Sequence, residues 1–354
     1  MNQSLFDLVT AANIAAYWIE KNVNEQPMLG ETLFPSQREI GIKLDWIKGS
    51  KNQPVALRLS AYDAKAIRRD RQGIEQYTTS MPFFKESMYI DEDMRQKLNT
   101  LVQTSNSQLI NSIITKIFDD QIQLIAAAKI KLERMRMEVL TNGTITLSDN
   151  GQSYEYDFQI PSDQKMTAST DTKDAKAWSD PTADIIKDIN DIKDAMKAKG
   201  VTITRAVCNS SVIEYFKKNE SIKNQIYVLA GGSISSISSA RALSYVQEET
   251  GIVFYAYDNV YVNESGVAVK YVPDDTVTFL PDGDLGNTNL GTTPEESDLM
   301  NSVNTADVSI VNEGVAVTTS KIVDPVNVET KVSMIGLPSF EMADKIVILD
   351  TKKE

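Results

Sequence analysis

The sequence predicts an α+β protein built around one very long helix. Three observations carry that expectation. Across 108–141 apolar residues recur at three- and four-residue steps, with no Gly or Pro among them. Segments that alternate apolar and polar residues, the strand period, lie on both sides of that stretch. Across 181–272 helical and strand patterns take turns, which marks a separate α/β lobe.

In chain order, residues 1–40 open with a short amphipathic stretch, Leu5, Leu8, Val9, Ala12 and Ala16 sharing one side, and continue into NEQPMLGETLFPSQ. Pro27, Gly30 and Pro35 are expected to break regular structure there, so the segment reads as an arm that lies on something else. Residues 40–60 alternate: Ile40, Ile42, Leu44 and Trp46 point one way, and Val55, Leu57 and Leu59 follow beyond the loop KGSKNQP. Period and turn chemistry together predict a hairpin. Next come a cationic cluster, Arg68, Arg69 and Arg71, and an apolar knot at Pro82, Phe83 and Phe84. A solvated loop accounts for the arginines; the sharper reading has them dock on acidic neighbours in other subunits.

The long helix places Leu109, Ile110, Ile113, Ile114, Ile117, Leu124, Ala128, Leu132, Met135 and Val139 along one stripe. At 1.5 Å per residue it is roughly 50 Å long, and Asn142-Gly143 is its stop. A hairpin follows, turning at Asp149-Asn150-Gly151. Its Tyr154, Tyr156 and Phe158 alternate with Glu155, Asp157 and Gln159, so one face is aromatic and is expected to be buried. A helix is predicted to open at Asp180-Pro181, with Ile185, Ile186, Ile189, Ile192 and Met196 on one side, and to end at Gly200. The strand VTITRAVCN, the helix SSVIEYFKKN, a Gly/Ser-rich stretch and the strands IVFYAYDNVYV, GVAVKYV and DTVTFLP complete the lobe. Thr293, Pro294 and Glu296 suit the N-cap, first and third positions of a further helix. Three strand patterns, ADVSIVNEGVAVTTSKIVDP, NVETKVSMIGLPSF and KIVILD, close the chain.

Composition narrows the function. The 354 residues suffice for two or three domains, and 42% hydrophobic residues suffice for a sizeable core. A net charge of −13 argues against nucleic acid as the principal ligand, because phosphate-driven binding needs a basic surface. No run of about 18 apolar residues predicts a membrane span, and the N-terminus lacks the basic and apolar regions of a signal peptide. The single Cys208 fits a reducing compartment. The chain has no histidine. That removes Ser-His-Asp, Cys-His and Cys/His zinc sites and lowers the case for an enzyme sharply. No cofactor is implied. AGGSISS (230–236) lacks the Walker Lys-Ser/Thr and the GxGxxG spacing. Asp282, Asp284, Asn287 and Glu295 fail the spacing of a calcium loop. The carboxylates of 171–194 read as a solvated helix face, and Ser210 and Ser211 have no base to activate them.

The succession of arm, hairpin, very long helix, hairpin, α/β lobe and returning strands resembles the major capsid proteins of tailed phages with the HK97-like fold. The details resemble the major capsid protein E family, the lambda-type coat proteins. The residues concerned are LFP at 33–35, RMRMEVLTNG ending the long helix, DPTADI at 180–185, LPDGDLGNTNLGTTPEE at 280–296, DPVNVETKVSMIGLPSF at 324–340 and the closing ADKIVILD. The resemblance implies an N-terminal arm over 1–42, an extended E-loop hairpin over 43–92, a P-domain over 93–181 and 272–354 with the spine helix at about 108–141, and an axial α/β A-domain over 182–271. It implies self-assembly into pentamers and hexamers of an icosahedral head enclosing double-stranded DNA. The implied partners are a separate scaffolding protein, a portal protein, a decoration protein and packaged DNA held non-specifically; no membrane is implied. The head is expected to be assembled in the host cytoplasm. The candidate inter-subunit contacts are Arg68, Arg69, Arg71, Phe83, Phe84, Leu33 and Phe34. The rival readings are a nanocompartment shell of the same fold and, more distantly, a carboxylate-based hydrolase.

Overall fold

The computed structural model describes residues 9–22, 26–48, 75–90, 92–104, 107–149, 151–229, 237–301, 306–312, 314–324 and 326–352. The chain opens with helices α1 (Ala11–Asn22) and α2 (Leu29–Leu33) and strands β1 (Ser36–Arg38), β2 (Lys43–Lys48), β3 (Glu75–Ser80) and β4 (Phe83–Tyr89). Helix α3 (Glu92–Thr104) leads to the long helix α4 (Ser107–Asn142), the hairpin β5 (Thr144–Asp149) and β6 (Gln152–Asp157), and β7 (Lys165–Thr167). Then come α5 (Ile185–Ala198), β8 (Ile203–Cys208), α6 (Ser210–Lys218), α7 (Glu220–Leu229), α8 (Ser239–Thr250), β9 (Val253–Ala256), β10 (Val260–Val262), β11 (Ala268–Lys270) and β12 (Thr276–Pro281). The last elements are β13 (Thr288–Leu290), α9 (Pro294–Met300), β14 (Asp307–Val311), β15 (Val315–Val323), β16 (Val326–Pro338) and β17 (Val347–Asp350).

Two compact units emerge. The first holds the described residues up to Asp45, Thr78–Met135 and Asn287–Ser339; the second holds the described residues of Trp46–Tyr77, Arg136–Gly286 and Phe340 onward. Helix α4 supplies residues to both. Its 36 residues span about 54 Å, and Gly143, at φ +73°, ends it by donating its N–H to Val139 O at 2.9 Å.

The first unit is a sheet in the order β1-β13-β16-β15-β14, with β4 also paired to β16. Strand β16 takes β15 along one side from Val326 to Met334, and β4 along the other from Glu329 to Ile335. Within this unit α4 turns Ile117, Leu124, Ile125, Ala128, Leu132 and Met135 inward. Helix α1 is tied to the β14 end of the sheet: Ala11 N donates to Asp307 Oδ2 at 2.8 Å, and Trp18 Nε1 to Asn312 Oδ1 at 3.2 Å. It is tied to α4 by Tyr17 OH, which donates to Asp119 Oδ1 at 2.7 Å.

The second unit has a sheet in the order β7-β17-β12-β8-β9. Its core runs through a chain of rings, Trp178 to Phe216 to Phe254 to Phe279, with centroids 5.9, 5.3 and 6.3 Å apart. The isoleucine stripe of α5 (Ile185, Ile189 and Ile192) packs into that core.

Several expectations are corrected. On α1 the buried face is Ala11, Ile14, Ala15 and Trp18, while Ala12 and Ala16 face outward. The large indole with its hydrogen bond to Asn312 sets the rotation of the helix. Leu5 and Leu8 lie outside the described residues. The segment around Gly30 is not irregular: α2 and β1 form there, with β1 parallel to β13. A five-residue helix is too short to stand by itself. It is held by the buried Glu133, whose Oε1 accepts from Gly30 N at 2.9 Å. Helix α5 begins at Ile185 rather than Pro181. Asp180 Oδ1 takes the N–H of Thr182 into a turn, and Asp184 becomes the N-cap by accepting from Lys187 N at 3.3 Å. Strand β2 pairs with β3; the expected partner at Val55–Leu59 lies outside the described residues. The stretch IVFYAYDNVYV divides into β9 and β10, and helices α3, α7 and α8 were not among the predicted elements.

Candidate functional site

The residues singled out for inter-subunit contact have different fates. Leu33 and Phe34 are buried within the first unit, and Phe34 O accepts from the Thr288 hydroxyl at 2.8 Å. Both side chains belong to the buried core of the unit. Phe84 is half-buried with the Lys131 ammonium 5.3 Å from its ring centroid. Phe83, the next residue on an alternating strand, points the other way and stays 41% exposed, with Lys85 Nζ 5.7 Å from its ring. Arg68, Arg69 and Arg71 lie outside the described residues.

Chemistry is scarce. Ser210 does meet a carboxylate: its N–H donates to Asp258 Oδ1 at 2.8 Å and its hydroxyl to Asp258 Oδ2. The pair belongs to a capping network at the start of α6. Asn209 caps that helix through Ser211 N and donates Nδ2 to Asp274 Oδ1 at 2.6 Å, while Lys270 Nζ reaches the same oxygen at 2.7 Å. Tyr215 donates to Asp275 Oδ1. Burial first, then that hydrogen bond, pushes the Tyr215 phenol up to about 12. Burial likewise pushes the Cys208 thiol up to about 12, which leaves it inert as a nucleophile at neutral pH. These groups tie loops to the start of a helix. Among the described residues no group of three or more Asp, Glu or Cys could hold a metal ion, and no helix is long and apolar enough to cross a membrane.

Several apolar side chains of the described surface are exposed. Val253 and Tyr255 stand exposed on β9, an edge strand of the five-stranded sheet, and Val260 and Val262 on β10. The aromatic face of the β5–β6 hairpin corrects the sequence expectation. Phe158 is buried, but Tyr154 is 45% exposed and Tyr156 only half covered. Their rings stack at 6.4 Å with planes 13° apart. Burial pushes the Tyr156 phenol up to about 12. Sequence period found this face; it could not tell what lies against it.

The family model of phage major capsid protein E matches residues 10–351, and the chain belongs to that family. No curated protein shows significant sequence similarity to it. Solved structures are similar over most of the chain. A prophage protein of E. coli CFT073, described as a candidate capsid protein, superposes with TM-score 0.58 at 14% identity over 97% of this chain and 99% of its own. A phage-related protein of Bordetella bronchiseptica RB50 gives 0.54 at 12% identity over 97% of each chain. The capsid of cyanophage A-1(L) gives 0.49 at 14% identity over 93% of each. The fold is the HK97-like capsid fold, and the protein is a phage major capsid protein, a component of the virion.

Proposed function

We propose that copies of this chain form pentamers and hexamers, which close into the icosahedral head of a tailed phage around double-stranded DNA. The match of the capsid family model over residues 10–351 is the observation that carries this reading. Exposed Val253, Tyr255, Val260 and Val262 support it, since apolar surface of this kind is covered in obligate assemblies. Residues 1–42 serve as the arm, 43–92 as the E-loop, 93–181 and 272–354 as the P-domain and 182–271 as the A-domain. Rings arise from contacts that join different surfaces of neighbouring copies and close by rotation. A separate scaffolding protein guides assembly in the host cytoplasm, a portal protein occupies one vertex and a decoration protein binds the finished shell. The acidic balance of −13 keeps contacts with packaged DNA weak and non-specific. Family membership favours this reading over a nanocompartment.

Electron microscopy of the expressed chain, alone and with the scaffolding protein of its phage, tests the reading. Closed shells containing DNA after packaging are expected. A protein that stays monomeric under every assembly condition, or shells filled with cargo protein, would overturn it.

A further inference from the structure

We propose that the first turn of α9 is a charge-held latch on the base of the 43–80 segment, and that neutralising its two carboxylates frees that base while the main sheet stays folded. The device belongs to a single subunit, so its failure would leave the self-assembly reading untouched. The chain departs past Gly41 and Ile42 and comes back at Met81, whose N–H donates to Ile42 O at 2.9 Å. Gly41 and Thr292 are bonded twice: Thr292 N donates to Gly41 O at 3.0 Å, and Gly41 N to Thr292 Oγ1 at 3.3 Å. Glu39 N donates to Leu290 O at 2.9 Å. Gly291 has no room for a side chain, since a Cβ there would meet Gly41 O at 2.5 Å and Met81 Cε at 2.7 Å. Both ends of the 43–80 segment therefore rest on residues 290–292.

Two adjacent carboxylates hold that stretch in place. Glu296 is buried and pairs with the Arg38 guanidinium on β1. Its Oε2 is buried with no hydrogen-bond partner among the described residues. Glu295 accepts from Lys331 Nζ at 2.6 Å and from the Ser333 hydroxyl at 2.9 Å, both on β16. One helical turn thus joins β1 to β16. A seven-residue helix gains little from its own backbone bonds, so these contacts carry its position. The register puts Lys85 of β4 opposite Ser333, where it favours charged carboxylates. Glu329, on the same face of β16, and the exposed Asp298 of α9 oppose them. Lys321 of β15 lies on the other face of the sheet, and Asp307 of β14 serves α1. Burial alone raises the Glu295 carboxyl, but the Lys331 ammonium, a bond to its own backbone and the Ser333 hydroxyl outweigh that and hold it below its ordinary value. With the folded value lowered, the stabilisation is complete above the unfolded value and is lost as pH falls through the folded one.

Amide hydrogen exchange on the full-length chain tests the latch, read as protection so that the intrinsic pH dependence of exchange cancels. As pH is stepped down from 7, the amides of Glu39, Gly41 and Met81 should lose protection before those paired between β15 and β16. The loss should be roughly tenfold, the scale of one charge-assisted hydrogen bond. Glu295→Gln with Glu296→Gln should show the low protection already at pH 7 and change little on acidification. Asp298→Asn alters an exposed acid of the same helix and should behave as the parent. Simultaneous loss at Glu39, Gly41, Met81 and the β15–β16 pairs in the parent overturns the proposal, and that comparison needs no variant. Parental protection at pH 7 in the glutamine pair overturns it as well.

Discussion

At the scale of single residues, Asp188 shows how burial changes a carboxylate. It is fully buried, and the Trp178 indole donates to its Oδ2 at 3.2 Å. Burial, the largest influence, pushes its pKa above the ordinary carboxylate value; hydrogen bonds from Trp178 and Thr172 oppose that, and the charges of Asp174 and Asp184 add to it. The folded state therefore holds the proton to higher pH than the unfolded chain does. Stability is highest below about pH 3.8 as far as this group is concerned, and falls as pH rises through the raised folded value. Asp188→Asn keeps the acceptor for Trp178 and removes the charge. The variant should melt higher than the parent at pH 7 and match it more closely at pH 4; thermal melts at both values would show it. Identical pH dependence in the two proteins would exclude the effect. Nothing in the sequence flagged this residue, because Asp188 lies among many carboxylates whose ordinary place is a solvated face.

At the scale of elements, α4 and the β5–β6 hairpin were the most legible parts. Their signals lie between residues a few positions apart: the three-and-four spacing of Ile117, Leu124, Ala128 and Leu132, the Asn142-Gly143 stop, the Asp149-Asn150-Gly151 turn. Leu124→Pro removes the N–H that bonds to the Asp120 carbonyl and clashes with it, which costs ~3 kcal/mol or more. A loss of helical circular dichroism and a lower denaturation midpoint are expected; an unchanged midpoint would count against a continuous helix. The N-cap at Thr293, accepting from Glu296 N at 3.3 Å, was also readable. Helix α8 carries comparable signals, a Ser238 cap accepting from Arg241 N and Gly251 at φ +68°, but the Gly/Ser-rich run before it has the composition of a loop. Helix α3 announced itself only through charge spacing, Glu92 with Arg95 at 2.7 Å and Asp93 with Lys97.

At the scale of the whole molecule, the balance of 49 acidic against 36 basic residues bears on the genome. A protein of this charge releases few counterions from duplex DNA. The purified subunit should retain no duplex DNA in mobility-shift measurements at about 150 mM salt. Tight retention with a steep salt dependence would show a basic face that outweighs the net charge, and would sink the proposal of a weakly held genome.

The sequence by itself determined the long helix, the β5–β6 hairpin, the α/β lobe and the absence of an imidazole-based active site, since periodicity and residue type are properties of neighbouring positions or of none. Through its ordered motifs it also pointed to the capsid family. Only the tertiary structure decided that Trp18 turns α1 inward, that Leu33 and Phe34 are core, and that β1 runs beside β13, Ser36 opposite Thr288. It decided too that Tyr154 is left exposed. Burial depends on which surfaces meet, and surfaces hundreds of residues apart leave no period along the chain.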